Sequence, residues 1–373
     1  MPQLICRESG ESYPIHETRW KSESGGLLDI QFRPNFDPQK VKYAPPSLWR
    51  YRDALPLDEE EEIVSLQEGF TPMVSLEIGH KTLLLKLDYL FPSGSYKDRG
   101  ATVLMTHAKA LGVEQVVQDS SGNAGCAIAN YAALAGINCK IFVPENTSSG
   151  KLAQIRLHGA ELIKVPGSRE ETARITLLAA EDTYYASHVW NPFFFQGTKT
   201  FAYEVCEQLG WQAPDTVILP AGNGTLLLGA YIGFSELQEA GIIAQVPRLI
   251  GVQAQHCDPL VQAFRYHLKN IPVIEKKDTL AEGISIANPA RGDQMLQYVR
   301  ETQGHFIAVE ESEIKEALLE LGKRGFYVEP TSAAVYAGAL KYIRTQAQHD
   351  ERMVSVLTGS GLKSTDKILK MLA

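Results

Sequence analysis

The sequence predicts an α/β protein built on two open, mainly parallel twisted sheets wrapped by helices. Three observations predict it. From residue 83 onward, short apolar runs alternate with helical stretches, the pattern of parallel sheets assembled from βαβ units. Three glycine-containing loops, "SSGNAG" (120–125), "PAGNGT" (220–225) and "LTGSG" (357–361), follow apolar runs, and open sheets bind ligands beyond the carboxyl ends of their strands. At 373 residues the chain is too long for one small core, so two domains are expected.

The elements follow in order. "LLLKL" (83–87) reads as a strand and 98–112 as a helix stopped by Gly112. A strand over 114–120 leads to a helix over 123–136, ended by Gly136, and then to a strand over 138–144. A helix over 150–160, a strand over 161–165 and a helix over 169–182 complete this half. Residues 195–210 read as one helix, 215–220 as a strand, 225–241 as a helix and 247–254 as a strand. Helices over 314–325 and 330–347 precede a last strand starting at Met353. The acidic run "DEEEE" (58–62) reads as a solvated helix start.

Composition narrows the function. Hydrophobic residues make up 44% and charged residues 21%, as in an ordinary soluble globular protein. Lys plus Arg is 36 against 44 for Asp plus Glu, a net charge of −8, which argues against a nucleic-acid binder. No window approaches the roughly 18 apolar residues of a membrane span, and the polar N-terminus lacks a signal-peptide core. Cys6, Cys126, Cys139, Cys206 and Cys257 are scattered and odd in number, so free thiols in a reducing cytoplasm are expected.

Each loop has a chemistry. In "ILPAGNGTLLLG", Gly222 and Gly224 let the backbone between strand and helix turn its amides toward one point. An anion there gains several N–H donors and the positive end of the helix dipole. A tight strand–helix turn is the plainer alternative. The dinucleotide fingerprint fails because Leu227 stands where its last glycine would be, so a single phosphate fits better. Ser120, Ser121, Gly122, Asn123 and Ala124 sit at a second junction, where amides and hydroxyls suit a carboxylate and Asn123 could reach a phenolate oxygen. An ordinary helix cap would look the same. Thr358 offers a hydroxyl to a ring nitrogen at the third loop, where a plain turn is the default. Lys97, in "PSGSYKDRG" (92–100), gains a role from this company. A lysine amine is nucleophilic only when neutral, and burial beside a cofactor makes it so. A nucleophilic lysine, a phosphate cup, a ring-nitrogen hydroxyl and a phenolate donor are the requirements of pyridoxal phosphate.

With these motifs the chain resembles the fold-type II pyridoxal-phosphate enzymes, and among them the threonine synthases. "EGFTP" (68–72), "PSGSYKDRG", "SSGNAG", "GNGTLLL", "EPTSAA" (329–334) and "LTGSGLK" carry the resemblance over nearly the whole chain. It implies that Lys97 forms the Schiff base with pyridoxal 5'-phosphate and that Asn123 meets the phenolate oxygen. It implies that Gly222, Asn223, Gly224, Thr225 and Leu226 hold the phosphate and that Thr358 faces the ring nitrogen. Ser120, Ser121, Ala124 and Lys199 would meet the substrate, Ser95 would support the ring or phosphate, and Asp98 and Arg99 would be structural. The expected division is a zinc-ribbon-like remnant over 1–27, a large cofactor domain over 28–100 and 190–373, and a small substrate-loop domain over 101–189. A cytoplasmic homodimer with a small amino-acid substrate, no nucleic-acid partner and no membrane is expected.

Two departures from the family pattern matter. The ribbon layout retains Cys6 but carries Ser9, Ser22 and Ser24, and one thiolate cannot hold a tetrahedral zinc, so no metal is expected. The family's stretch N-P-x-R-x-E-G-x-K-T reads "NPFFFQGTKT" (191–200), with Phe194 at the arginine and Gln196 at the glutamate. Lys199 survives there, and Lys151, Arg156 or His188 could supply charge. The first expectation is a lyase converting O-phosphohomoserine to threonine and phosphate. The second is a lyase, dehydratase or β-replacement enzyme on another amino acid. A non-catalytic relative is the third, and the intact lysine motif argues against it.

Overall fold

The computed structural model describes residues 2–147, 149–167 and 169–372, with backbone only at 149–151 and 169–170. The chain divides into two units. Met1–Gly69 and Lys97–Thr198 form the first, and Phe70–Tyr96 and Lys199–Ala373 form the second.

The first unit contains an antiparallel sheet ordered β2 (Ser12–Pro14), β1 (Gln3–Cys6), β3 (Leu28–Gln31), followed by a short helix α1 (Pro38–Val41). Its second sheet is parallel throughout, in the order β8 (Glu161–Val165), β7 (Asn138–Pro144), β6 (Gln115–Gln118), β9 (Tyr184–Tyr185). Helices α2 (Lys97–Ala110), α3 (Asn123–Ala135), α4 (Ser149–Leu157), α5 (Arg169–Ala179) and α6 (Pro192–Thr198) accompany it. α3 ends where the sequence predicts: Gly136 takes φ 74° and its amide reaches the carbonyls of Ala132 and Ala133. The Trp20 indole donates to the Ala180 carbonyl at 3.1 Å and meets Tyr185 edge-on, tying the N-terminal segment to the larger sheet's core.

The second unit holds a six-stranded sheet. Its order is β12 (His305–Val309), β11 (Arg248–Ala254), β10 (Thr216–Pro220), β13 (Met353–Val356), β5 (Lys81–Lys86), β4 (Met73–Ile78). All neighbours run parallel except β4, which is antiparallel to β5. β10 is buried along its whole length, as befits a strand covered on both faces. Helices α7 (Thr200–Gln208), α8 (Thr225–Glu239), α9 (Pro259–Arg265), α10 (Gly292–Glu301), α11 (Glu311–Lys323), α12 (Pro330–Thr345) and α13 (Thr365–Leu372) complete it. Lys86 on β5 pairs with Glu204 on α7 at 2.8 Å, both fully buried.

The breaks between units fall at 69/70, 96/97 and 198/199, which puts 28–69, 97–100 and 190–198 in the first unit. Local packing is the reason. A methyl at Gly100 would sit 2.3 Å from the Phe194 ring, and one at Gly197 would sit 1.9 Å from the Arg99 carbonyl oxygen. Glycine therefore lets α2 and α6 approach as one pair. Trp49 and Thr102 both donate to Glu68, at 2.8 Å each, which holds 49–68 on α2. The predicted helix over 195–210 is two helices, α6 and α7, and it breaks at the boundary between units without a proline. The acidic run 58–62 is a turn, because the Arg52 guanidinium captures the carbonyls of Asp58, Glu59 and Glu61 that a helix would need.

The N-terminal segment gathers its single cysteine with the serines. Burial would raise the Cys6 thiol, but the donors around it outweigh that: the Ser22 and Ser9 hydroxyls and the Ser9 and Glu8 amides hold it down at about 7. The Ser22 and Ser24 hydroxyls bond at 2.9 Å, and Ser22 accepts the Gly26 amide at 2.8 Å. Among the described residues no three His, Cys, Asp or Glu side chains converge as metal ligands do.

Candidate active site

In the second unit, β10 runs into Ala221 and Gly222, and α8 starts at Thr225. Gly224 has φ 77°, a left-handed conformation natural to glycine. A methyl on Gly222 would press to 3.0 Å on the Gly283 carbonyl oxygen, and one on Gly224 to 2.4 Å on the Met295 sulfur. The turn is thus fixed from outside. The first N–H groups of α8 have no acceptor within the helix, which makes this end a seat for an anion.

Tyr96 joins this turn to the third loop. Its hydroxyl bonds Thr225 Oγ1 at 2.7 Å, and its amide donates to the Thr358 carbonyl at 3.0 Å. Burial pushes the Tyr96 phenol well above its ordinary pKa, despite the Thr225 bond, so it stays protonated. Ser95 pairs with Gly359 as an antiparallel bridge. Its hydroxyl is fully buried and has no hydrogen-bond partner among the described residues.

Thr358 stands in a small hydroxyl network. Its Oγ1 lies 3.0 Å from Ser332 Oγ and donates to Glu329 at 3.2 Å. Ser332 Oγ also accepts the amides of Thr358 and Gly359, at 2.8 and 3.1 Å. Sequence reasoning singled out Thr358 but gave no role to Tyr96, Glu329 or Ser332. All three lie inside quoted motifs, "PSGSYKDRG" and "EPTSAA", which was the signal available.

In the first unit, Lys97 is the first residue of α2, and Asp98 and Arg99 behind it are fully buried. The Lys97 ammonium lies 5.5 Å from the centroid of the Phe194 ring, itself fully buried. α3 packs against α2 and begins at Asn123. Before it, Ser120 Oγ accepts the Gly122 amide at 3.2 Å. Gly125 comes so close to the Ser120 carbonyl oxygen that a methyl there would lie 1.8 Å away. Ser120, Ser121 and Asn123 remain partly accessible at this turn, and Ala124 is buried.

Lys199, the other residue expected at the substrate, opens the second unit. Its ammonium is fully buried and pairs with Glu236 at 2.9 Å, and the Tyr203 hydroxyl donates to the same carboxylate. Burial lowers the Lys199 pKa and raises that of Glu236, and their mutual attraction opposes both shifts. Glu236 follows Thr225 by eleven residues, so this pair lies about 16 Å along α8 from the glycine turn. Of the other candidate cations, Arg156 is exposed, His188 packs edge-on to Phe194 at 6.1 Å, and the Lys151 side chain lies outside the described residues.

The residues present fit pyridoxal phosphate. The second unit supplies a glycine turn at a helix N-terminus and an unsatisfied buried hydroxyl at Ser95, and the lysine follows Tyr96 directly in the chain. The architecture and these turns define a cofactor-dependent α/β enzyme. Residues 64–359 match the family described as pyridoxal-phosphate dependent enzyme, and the chain belongs to it. Pyridoxal phosphate is its cofactor.

Its relatives include threonine synthases. That of Methanocaldococcus jannaschii is 38% identical, covering 98% of this chain and 94% of its own. That of Methanosarcina acetivorans is 34% identical, covering 99% and 94%. Solved structures share the fold. Maize serine racemase superposes with a TM-score of 0.67 at 23% identity, over 81% of this chain and 93% of its own. The serine racemase of Dictyostelium discoideum gives 0.65 at 25% identity, over 78% and 92%.

Proposed function

We propose that this enzyme carries out the threonine synthase reaction. The Cγ–O bond of O-phosphohomoserine breaks and phosphate leaves, Cγ takes up a proton and becomes the methyl group, and water adds its hydroxyl at Cβ while Cα regains a proton, giving threonine. The observation that carries this reading is the similarity to a threonine synthase along 98% of the chain. Bound pyridoxal phosphate supplies the electron withdrawal that acidifies the substrate Cα–H. In this reading Lys97 Nζ moves the protons at Cα and Cβ. The amides of Gly222, Asn223, Gly224, Thr225 and Leu226 hold the cofactor phosphate. Asn123 donates to the phenolate oxygen, and the Thr358 hydroxyl faces the ring nitrogen. Ser120, Ser121 and the Ala124 amide hold the substrate carboxylate. The reading includes a cytoplasmic homodimer, whose subunit number sedimentation equilibrium would measure.

One observation favours a second reading. α6 carries Phe193, Phe194 and Phe195 in succession, all buried, with Gln196 next. A phosphorylated substrate asks for a guanidinium or ammonium that these side chains do not provide. An uncharged amino acid would then undergo elimination or β-replacement.

The test is a substrate panel. The holoprotein is incubated with O-phosphohomoserine, serine, threonine and a β-substituted alanine, and phosphate, threonine and keto acid are measured. Threonine and phosphate in equal amounts support the first reading. Keto acid from serine or threonine without use of the phosphoester moves the assignment to the second. No turnover of any, with no cofactor fixed to Lys97 by borohydride, leaves a non-catalytic relative.

A further inference from the structure

A second candidate site lies in the first unit, in a cleft of about 600 Å³ lined by His16, Asp58, Glu60, Glu61, Glu62 and His107. That volume lies within the usual range for small-molecule pockets. Its wall is built. Arg52 holds the carbonyls of Asp58, Glu59 and Glu61 at 2.7–2.9 Å, and the Val64 amide donates to Thr106 at 3.0 Å, fastening the acidic turn to α2.

The unusual group is His107. It is 1% exposed, its ring lies flat on Phe193 with centroids 3.6 Å apart, and neither ring nitrogen has a hydrogen-bond partner among the described residues. Nδ1 stands 3.8 Å from Glu61 Oε1, too far for a hydrogen bond. Glu61 Oε2 is also buried without a partner. Leaving such groups unsatisfied is costly, so the cleft floor carries polar atoms that call for a partner. Part of the rim is already neutralised, since Glu62 pairs with Lys109 at 2.8 Å, and Asp58 stands 3.7 Å from His16. The carboxylate left at the floor is Glu61.

The geometry points to a binding site for a small organic cation bearing N–H donors, which gives one N–H to Glu61 Oε2 and another to an imidazole nitrogen of His107. Charge selects a cation, because four carboxylates line the cleft against one lysine. The two unpartnered acceptors select one with N–H groups over a quaternary ammonium. The volume exceeds what a bare ion fills. This site is independent of the substrate reading above.

Calorimetric titration of the full-length holoprotein with n-butylguanidinium tests the site, a probe that does not condense with the cofactor as a primary amine would. Saturable binding at one per chain is expected. His107→Phe keeps the stack on Phe193 and removes both nitrogens, and Glu61→Gln keeps the shape and removes the charge. Each should weaken binding tenfold or more, and n-butyltrimethylammonium should bind at least tenfold more weakly than the guanidinium. If His107→Phe does not fold, Glu61→Gln decides. No binding, binding unchanged in the folded variants, equal binding of the quaternary ion, or one Zn²⁺ per chain in place of the guanidinium would each overturn the assignment.

Discussion

The Tyr96 hydroxyl and Thr225 Oγ1 are 2.7 Å apart in a buried contact, 129 residues apart in sequence. This contact and the Tyr96 amide bond to Thr358 hold the residue preceding Lys97 to the glycine turn on one side and the third loop on the other. Tyr96→Phe removes the hydroxyl and keeps the ring. A net hydrogen bond is worth about 0.5–1.5 kcal/mol, so cofactor affinity should fall about twofold to tenfold. Titration of apoprotein with pyridoxal phosphate measures it. Unchanged affinity would show that the Thr225 contact does not set the turn.

Lys199→Met separates two roles for that lysine. Its pairing with Glu236 predicts a loss of stability, because the variant leaves a buried carboxylate uncompensated at a cost of about 3–5 kcal/mol. Denaturant unfolding should register that loss while KM stays near wild type. A raised KM with unchanged stability would assign Lys199 to the substrate.

Thr358→Asp puts a carboxylate in the network of Ser332 and Glu329. Beside the ring nitrogen it would favour the protonated pyridine, which a hydroxyl does not. The cofactor absorption spectrum and the partition among products should both change. A variant that binds cofactor with wild-type spectrum and kinetics would place Thr358 away from the ring.

Phe194→Arg probes the substrate side. Its ring is fully buried against Gly100 and faces Lys97, so an unpaired guanidinium there should lower the melting temperature. If the native substrate carries no phosphate, the kcat/KM ratio should move toward O-phosphohomoserine by about one to two orders of magnitude, the worth of a charge-assisted contact of about 1.5–3 kcal/mol. A wild type efficient on O-phosphohomoserine and impaired by the change would show that another group holds its phosphate.

Cys6 gives a pH dependence. Its thiol is depressed to about 7 from an ordinary 9.0. A depressed pKa adds stability that is fully present above pH 9 and is lost as pH falls through 7. Cys6→Ser should therefore cost most in alkaline solution and least below pH 7. Thiolate absorbance near 240 nm should show a wild-type step at about pH 7 that the variant lacks. Burial pushes Cys139 and Cys206 up to about 12, so they do not obscure it. A step at 9 would show that the serines do not act on the thiol.

The sequence by itself determined the alternation of strands and helices, the three glycine loops and the lysine among them. These are local signals: apolar periodicity, a left-handed turn that needs Gly224 or Gly136, and a motif compact enough to read in nine residues. Two-residue β9 carries too little pattern to be read this way, whereas β4, with Val74, Leu76 and Ile78 alternating toward the core, carried a strand pattern that lies ahead of the strand–helix alternation. Only the tertiary structure decided that Lys199 turns to Glu236, 37 residues on, and that Tyr96 reaches Thr225. It alone decided that Gly100 and Gly197 bring α2 and α6 into one unit. Such pairs depend on which surfaces meet after the chain has folded. A lysine's residue type is the same whether its ammonium meets a substrate or a buried carboxylate, and burial and distance make the difference.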